Sequence, residues 1–221
     1  MRAACRARPL GRSGAAPGCL HTVHRFCACP PALDGARRSN SQSAFDRAGI
    51  DGCFAEYRRY GGSSGRPALA ATLDDALAIA DASGVAPEDL VVYGRSVGSL
   101  FAAHVAARRR VGALVLESGI ADLWERLAPR LRADELGTTD EVLRAAVRAT
   151  YDQRANLEAA ACPVLVLHAK GDRTVAPHHA ERLAAWAGPR GERVLFDRGD
   201  HNTIHAFNRD AIVARVVALA R

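Results

Sequence analysis

From about residue 49 onward, short apolar runs alternate with apolar stripes at helical spacing. Gly49 to Tyr57 reads as a strand running into a Gly/Ser-rich turn, Tyr60 to Pro67. Leu69, Leu73, Ala76, Leu77 and Ala80 then fall on one helical face, with Pro67 in a first turn that tolerates it. Leu90-Val91-Val92-Tyr93 and Val111 to Leu116 are continuous apolar runs of the kind a parallel strand shows when buried on both faces. A helix over Val97 to Arg109 lies between them. Two amphipathic helices are expected in 119–158, the second opening on Thr138 with Glu141 three residues on, a capping-box spacing. Its stripe is Val142, Leu143, Ala146 and Val147. A strand at Val164 to Leu167, a helix at Pro177 to Trp186, a strand at Arg193 to Phe196 and a helix at Thr203 to Ala220 complete the pattern. Strands alternating with helices predict an α/β fold with a mostly parallel sheet flanked by helices.

Residues 1–48 break this texture. They hold no helical or strand periodicity, and their eight arginines face only Asp34 and Asp46, so the whole net charge of +6 resides there. The stretch is expected to be an irregular basic tail, followed by one folded domain over 49–221. Arg-rich and nearly acid-free, it has the composition of a transit peptide but lacks the apolar core of a secretory signal. The balanced remainder carries no electrostatic footprint for a polyanion, so no nucleic-acid partner is expected. No stretch approaches the roughly 18 consecutive apolar residues of a transmembrane segment. The six cysteines, at 5, 19, 27, 29, 53 and 162, form no C-x-x-C pair, which points to a reducing, cytoplasmic setting.

The sharpest chemical signal is Gly94-Arg95-Ser96-Val97-Gly98. Its glycines permit a tight strand-to-helix turn that holds the serine proud of the sheet, and the Val97 N–H then faces the place where an oxyanion develops. Gly61-Gly62-Ser63-Ser64-Gly65 fits the same pattern but follows Arg58-Arg59-Tyr60 rather than an apolar strand, so it reads as a turn. A nucleophilic serine needs a base and the base an orienting acid. His201 follows the last strand directly, in a loop over the strand ends, with His205 one helical turn further as the reserve. His104 is expected to pack within its helix, and His178 and His179 to lie on an exposed helical face. His21 and His24 fall in the tail. Asp172 follows Val164 to Leu167 at a carboxyl end, and Glu117, ending the preceding strand, is the alternative acid. Asp200, adjacent in sequence to His201, reads as an exposed loop acid.

The order Ser96, Asp172, His201, carried by Tyr93-Gly94-Arg95-Ser96-Val97-Gly98-Ser99, His168-Ala169-Lys170-Gly171-Asp172 and Gly199-Asp200-His201-Asn202, resembles the α/β-hydrolase superfamily in its esterase, thioesterase and acyl-peptidase-like branch. Tyr57 to Pro67 adds a fourth matching piece, with Arg59 and Ala169 where glycines are usual. The resemblance implies Ser96 as nucleophile, Asp172 as acid and His201 as base, no metal or organic cofactor, and a cap over 119–158 that shapes the acyl or alcohol pocket. It also implies a strand and a His-Gly-Asn-like loop before Tyr57 that supply a second oxyanion donor. Nothing in 1–48 reads as that strand, so residues 1–44 are expected to be a misread or degraded replacement for it.

The expected function is a serine hydrolase of carboxylic esters, thioesters or small amides. The alternative is a hydrolase-fold relic or interaction module without turnover.

Overall fold

The computed structural model describes residues 21–26, 44–55, 57–58, 64–66, 68 and 70–220. Its strands are β1 (His21–Phe26), β2 (Ile50–Ala55), β3 (Leu90–Arg95), β4 (Ala113–Glu117), β5 (Val164–Ala169) and β6 (Gly191–Phe196). They form one sheet in the order β2-β1-β3-β4-β5-β6, every pairing parallel. Among the described residues, helices include α1 (Ala71–Asp81), α2 (Gly98–Arg108), α3 (Leu123–Leu127), α4 (Asp140–Thr150), α5 (Gln153–Ala159), α6 (His178–Ala187) and α7 (Ile204–Leu219), and residues 44–47 are helical as well.

The two-residue period of the strands sorts their side chains into two apolar layers. Leu90 and Val92, Leu114 and Leu116, and Val164 and Val166 join one layer, beneath α1, α2, α5 and α6. Val91 and Tyr93, Ala113 and Val115, and Leu165, Leu167 and Ala169 join the other, covered by Phe45 and by Ile204, Ile212 and Val216 of α7. Every residue of β3, β4 and β5 is buried, which is why their sequences carry no polar alternation. The central helix α2 has nine buried residues among its eleven, so it too reads as apolar all round.

Two local expectations change. From 119 to 159 the chain forms three α-helices and a short 3₁₀ turn at Asp134–Leu136, since the Asp152 side chain accepts from Ala155 N–H at 2.9 Å and starts α5 afresh after Tyr151. The cap of α4 is Thr139 rather than Thr138: Thr139 Oγ1 accepts from Val142 N–H at 3.3 Å. Thr138 N–H instead closes the preceding turn onto the Ala133 carbonyl, across Gly137 at φ 68°.

The larger difference is β1. The sequence pattern places no strand before residue 49, yet His21–Phe26 lies inside the sheet, paired with β2 on one side and β3 on the other. A central parallel strand is usually a continuous apolar run. This one offers His-Thr-Val-His-Arg-Phe, with only Val23 and Phe26 apolar, so periodicity misses it. From β1 the chain turns to one neighbour, β2, and later to the other, β3. Such a reversal opens a crevice outside the carboxyl ends of the two strands, the usual ligand position in doubly wound sheets. Among the described residues no helix is long and apolar enough to cross a membrane.

Candidate active site

Ser96 follows directly on β3 at that crevice, with φ 53°. Among the described residues the only other non-glycine at positive φ is Ser118, at 49°, just past the end of neighbouring β4. Strain of this kind persists only where the surroundings over-determine it. Here Ser96 N–H donates to the Glu117 carbonyl at 2.9 Å and Ser118 N–H to the Leu167 carbonyl at 2.8 Å, continuing the ladder past the strand ends. Gly94 makes the turn possible by close approach: a Cβ there would stand 2.5 Å from the Gly98 carbonyl oxygen and 2.7 Å from Ser99 Cα. The Ser99 and Leu100 amides turn back onto Ser96 and Val97. Those of Val97 and Gly98, ahead of the first intrahelical bonds, have no helical acceptor and carry the positive end of α2.

Two loops bring the other side chains to Ser96. His201 Nδ1–H donates to Asp172 Oδ2 at 2.8 Å, which leaves Nε2 to accept from Ser96 Oγ–H at 2.9 Å. Asp172 is itself fixed, since its Oδ1 accepts from the Thr174 and Val175 amides at 2.9 and 2.8 Å. Burial opposes ionisation of Asp172, but the bonds from His201 and Val175 outweigh it and hold the carboxyl below its usual range. Beneath it His168, fully buried, donates from Nε2 to the Val175 carbonyl at 2.8 Å; burial pushes its pKa down and keeps it neutral. The base loop is shaped by Gly199 at φ 97° and by Asp200, whose exposed carboxylate accepts from the Asn202 and Thr203 amides.

Glu117 is not with His201. It is fully buried, accepts from the Tyr93 hydroxyl and accepts Arg95 Nε–H at 3.0 Å. Arg95, which the sequence reading gave no role, also donates from its second arm to the His201 carbonyl and to Asn202 Oδ1 at 3.3 Å. Its signal was present: an arginine flanking the elbow serine and a carboxylate ending the next strand.

The remaining histidines divide. His104 packs inside α2 as expected, its pKa lowered by burial to about 4. His205 lies against Phe45, ring centroids 6.3 Å apart. His178 is exposed, but His179 is not, contrary to expectation: it is 2% exposed and its Nδ1 accepts from Ala121 N–H at 3.2 Å. Its position four residues before Leu183 and eight before Ala187, both buried on α6, was the available sign. His21 and His24 sit on β1. Ser63 of the second Gly-x-Ser-x-Gly lies outside the described residues, as do residues 27–43. The chain leaves β1 beside the elbow, since Phe26 is in register with Gly94.

Glu125, His178 and His179 bring three metal-ligand atoms within 4.8 Å of one another. Their surroundings do not suit an ion. With Nδ1 of His179 accepting from Ala121, its Nε2 carries the proton, whereas a ligating histidine donates from its other nitrogen. Arg182 already pairs with Glu125 at 2.5 Å.

In sequence, the Mycobacterium tuberculosis protein Rv2307c is 28% identical over 176 residues, 76% of this chain and 59% of that protein. Human alpha/beta hydrolase domain-containing protein 17B is 24% identical over 162 residues, covering 70% and 51% respectively. The chain thus spans between half and three fifths of the length of these relatives. The solved structure of mouse alpha/beta hydrolase domain-containing protein 10 superposes with a TM-score of 0.72 at 17% identity, over 99% of this chain and 98% of that one. The fold is that of the α/β-hydrolases, as the motif resemblance implied. The model of the prolyl oligopeptidase family matches residues 69–213, a span that runs from α1 into α7 and contains Ser96, Asp172 and His201, and the chain belongs to that family.

Proposed function

We propose that this chain is a serine hydrolase acting on a carboxylic ester, thioester or small amide through an acyl-enzyme. The observation that carries the reading is the unbroken hydrogen-bonded line from Asp172 through the His201 ring to Ser96 Oγ. Ser96 attacks the carbonyl carbon while His201 Nε2 takes the hydroxyl proton and returns it to the leaving group. Water, activated by the same nitrogen, then releases the acid. Asp172 holds the Nδ1–H tautomer and stabilises the imidazolium that forms, and the Val97 N–H faces the oxyanion at the positive end of α2. Residues 119–158, which leave the sheet after β4, act as the cap that shapes the substrate pocket. The cysteine usage, with Cys162 a buried free thiol, favours a reducing, cytoplasmic setting.

Labelling with a fluorophosphonate tests this. The wild-type chain should be modified at Ser96, and Ser96→Ala should not be modified at all. Asp172→Asn should slow turnover of an activated ester by about 10⁴-fold, because the wrong tautomer is then favoured. A folded chain that takes no label, or one whose label survives Ser96→Ala, refutes the reading and leaves a hydrolase fold without turnover.

A further inference from the structure

The proposed reaction needs His201 Nε2 against Ser96 Oγ, although the two residues lie 105 positions apart in the chain. Asp172 fixes the ring of His201 but not the backbone that carries it. The bonds from Asp200 to Asn202 and Thr203 are internal to the base loop and shape it without anchoring it to the sheet. Asp197, Arg198 and Asp200 are all exposed; Asp197 pairs with Lys170 at 2.5 Å and the Arg198 carbonyl accepts from Asn208 Nδ2 at 2.9 Å, but neither tie is made at His201 itself.

The tie at the His201 carbonyl is Arg95. It ends β3, is 7% exposed, and divides its donors between two elements. Nε holds Glu117 Oε1 at 3.0 Å, while the second arm holds the His201 carbonyl and Asn202 Oδ1. Glu117 stands opposite Arg95 in the β3–β4 register and accepts from the Tyr93 hydroxyl. Its own backbone carbonyl accepts from Ser96 N–H at 2.9 Å. One carboxylate residue therefore grips the nucleophile by its main chain and, through Arg95, the base loop by its carbonyl.

We propose that Arg95 is a positioning residue: through Glu117 it ties the loop bearing His201 to the strand end bearing Ser96, and so sets the approach of base to nucleophile. The proposal rests on the serine-hydrolase reading for its kinetic consequences. The geometry needs an arginine in particular. A planar guanidinium sends separate N–H groups in fixed directions, whereas a lysine offers one compact charge on a flexible stem. Lysine at position 95 keeps a charge beside Glu117 but has no second nitrogen to hold the His201 carbonyl in a separate, fixed direction. A buried ion pair present only for stability needs no third partner.

Arg95→Lys is the direct test, because it keeps a cation beside Glu117. The paired variant Arg95→Met with Glu117→Gln accompanies it: no charge is left buried alone, so it serves if the lysine variant fails to fold. Two readouts are taken on each, hydrogen exchange of amides 197–203 and the rate of fluorophosphonate labelling, with kcat and KM on an activated ester. The expected result is faster exchange confined to 197–203, labelling and kcat lowered about 10- to 100-fold, and KM little changed, as a displacement near 1 Å would produce. A folded variant that labels at the wild-type rate overturns the proposal. If the wild type itself takes no label, the hydrolase reading fails, and the exchange data decide the tether alone: unchanged exchange at 197–203 overturns it.

Discussion

Alanine at position 94 would place a methyl group where the turn into α2 has no room for one. The built Cβ lies 2.5 Å from the Gly98 carbonyl oxygen, 2.6 Å from Ala102 Cβ and 2.7 Å from Ser99 Cα. None of these is the free end of a flexible side chain, so relief requires α2 to withdraw. Reaching ordinary contact at 3.4 Å from 2.5 Å takes a movement of 0.9 Å. Overpacking of this kind costs about 1–3 kcal/mol, partly offset by the roughly 0.4–1 kcal/mol that Gly→Ala gains through the unfolded chain. At about 2–4 °C per kcal/mol for a domain of this size, Gly94→Ala should unfold several degrees below wild type. The same withdrawal shifts the Val97 amide and the Ser96 turn against His201. Fluorophosphonate labelling should therefore slow by about 10²-fold, the usual consequence of a 1 Å error in reacting geometry. Gly84→Ala separates contact from conformation: Gly84 has φ +69° and nothing within 4 Å, so alanine there costs about 1–2 kcal/mol of left-handed strain without touching the elbow. Thermal melts and labelling rates on both variants decide. Wild-type melting and labelling in Gly94→Ala, or an equal labelling defect in Gly84→Ala, would refute the argument.

Two further outcomes follow from buried titratable groups. His104 and His179 are 8% and 2% exposed and are held at about 4 against an ordinary 6.5, mainly by burial. The unfolded chain therefore binds protons that the folded one refuses, and stability present above pH 6.5 is lost as pH falls towards 4, by up to about 3 kcal/mol per histidine. His179→Gln should flatten the melting temperature across that window, and a curve as steep as wild type would refute the assignment. Cys162, 5% exposed and pushed up to about 11 by burial, should resist iodoacetamide at pH 8 in the folded protein and react only in denaturant, as read by mass mapping. Modification of the folded protein would refute its burial.

The legible parts of the sequence are those whose physics is local. The interiors of β3, β4 and β5 announce themselves because burial on both faces leaves no polar alternation. Ser96 is legible because the elbow needs glycine at 94, where a backbone carbonyl comes too close for any Cβ. What the sequence hides depends on long-range register. Whether Glu117 or Asp172 serves His201 turns on Glu117 standing opposite Arg95, a fact no periodicity carries. Strand β1 is hidden for a related reason: its place is held by ladders to β2 and β3, not by an apolar pattern of its own. Thr138 and Thr139 compete for the cap of α4, and the turn through Gly137 decides between them.

Six of the buried polar residues, Arg95, Glu117, Ser118, His168, Asp172 and His201, lie at the carboxyl ends of β3, β4 and β5 or in the loops after β4, β5 and β6. Buried carboxylates are costly unless their hydrogen bonds are made, and both here are satisfied: Glu117 with Arg95 and Tyr93, Asp172 with His201 and two amides. That interdependence fixes Ser96 and His201 with little freedom to drift. The middle of the segment proposed as the cap has the opposite character. Helix α4, in the middle of the 119–158 segment, has no fully buried residue and leaves Val142 60% exposed. Elements with so little buried apolar surface open at low free energy. On the proposed reading of 119–158 as the cap, a loosely packed α4 lets substrate enter without disturbing the geometry on which proton transfer depends.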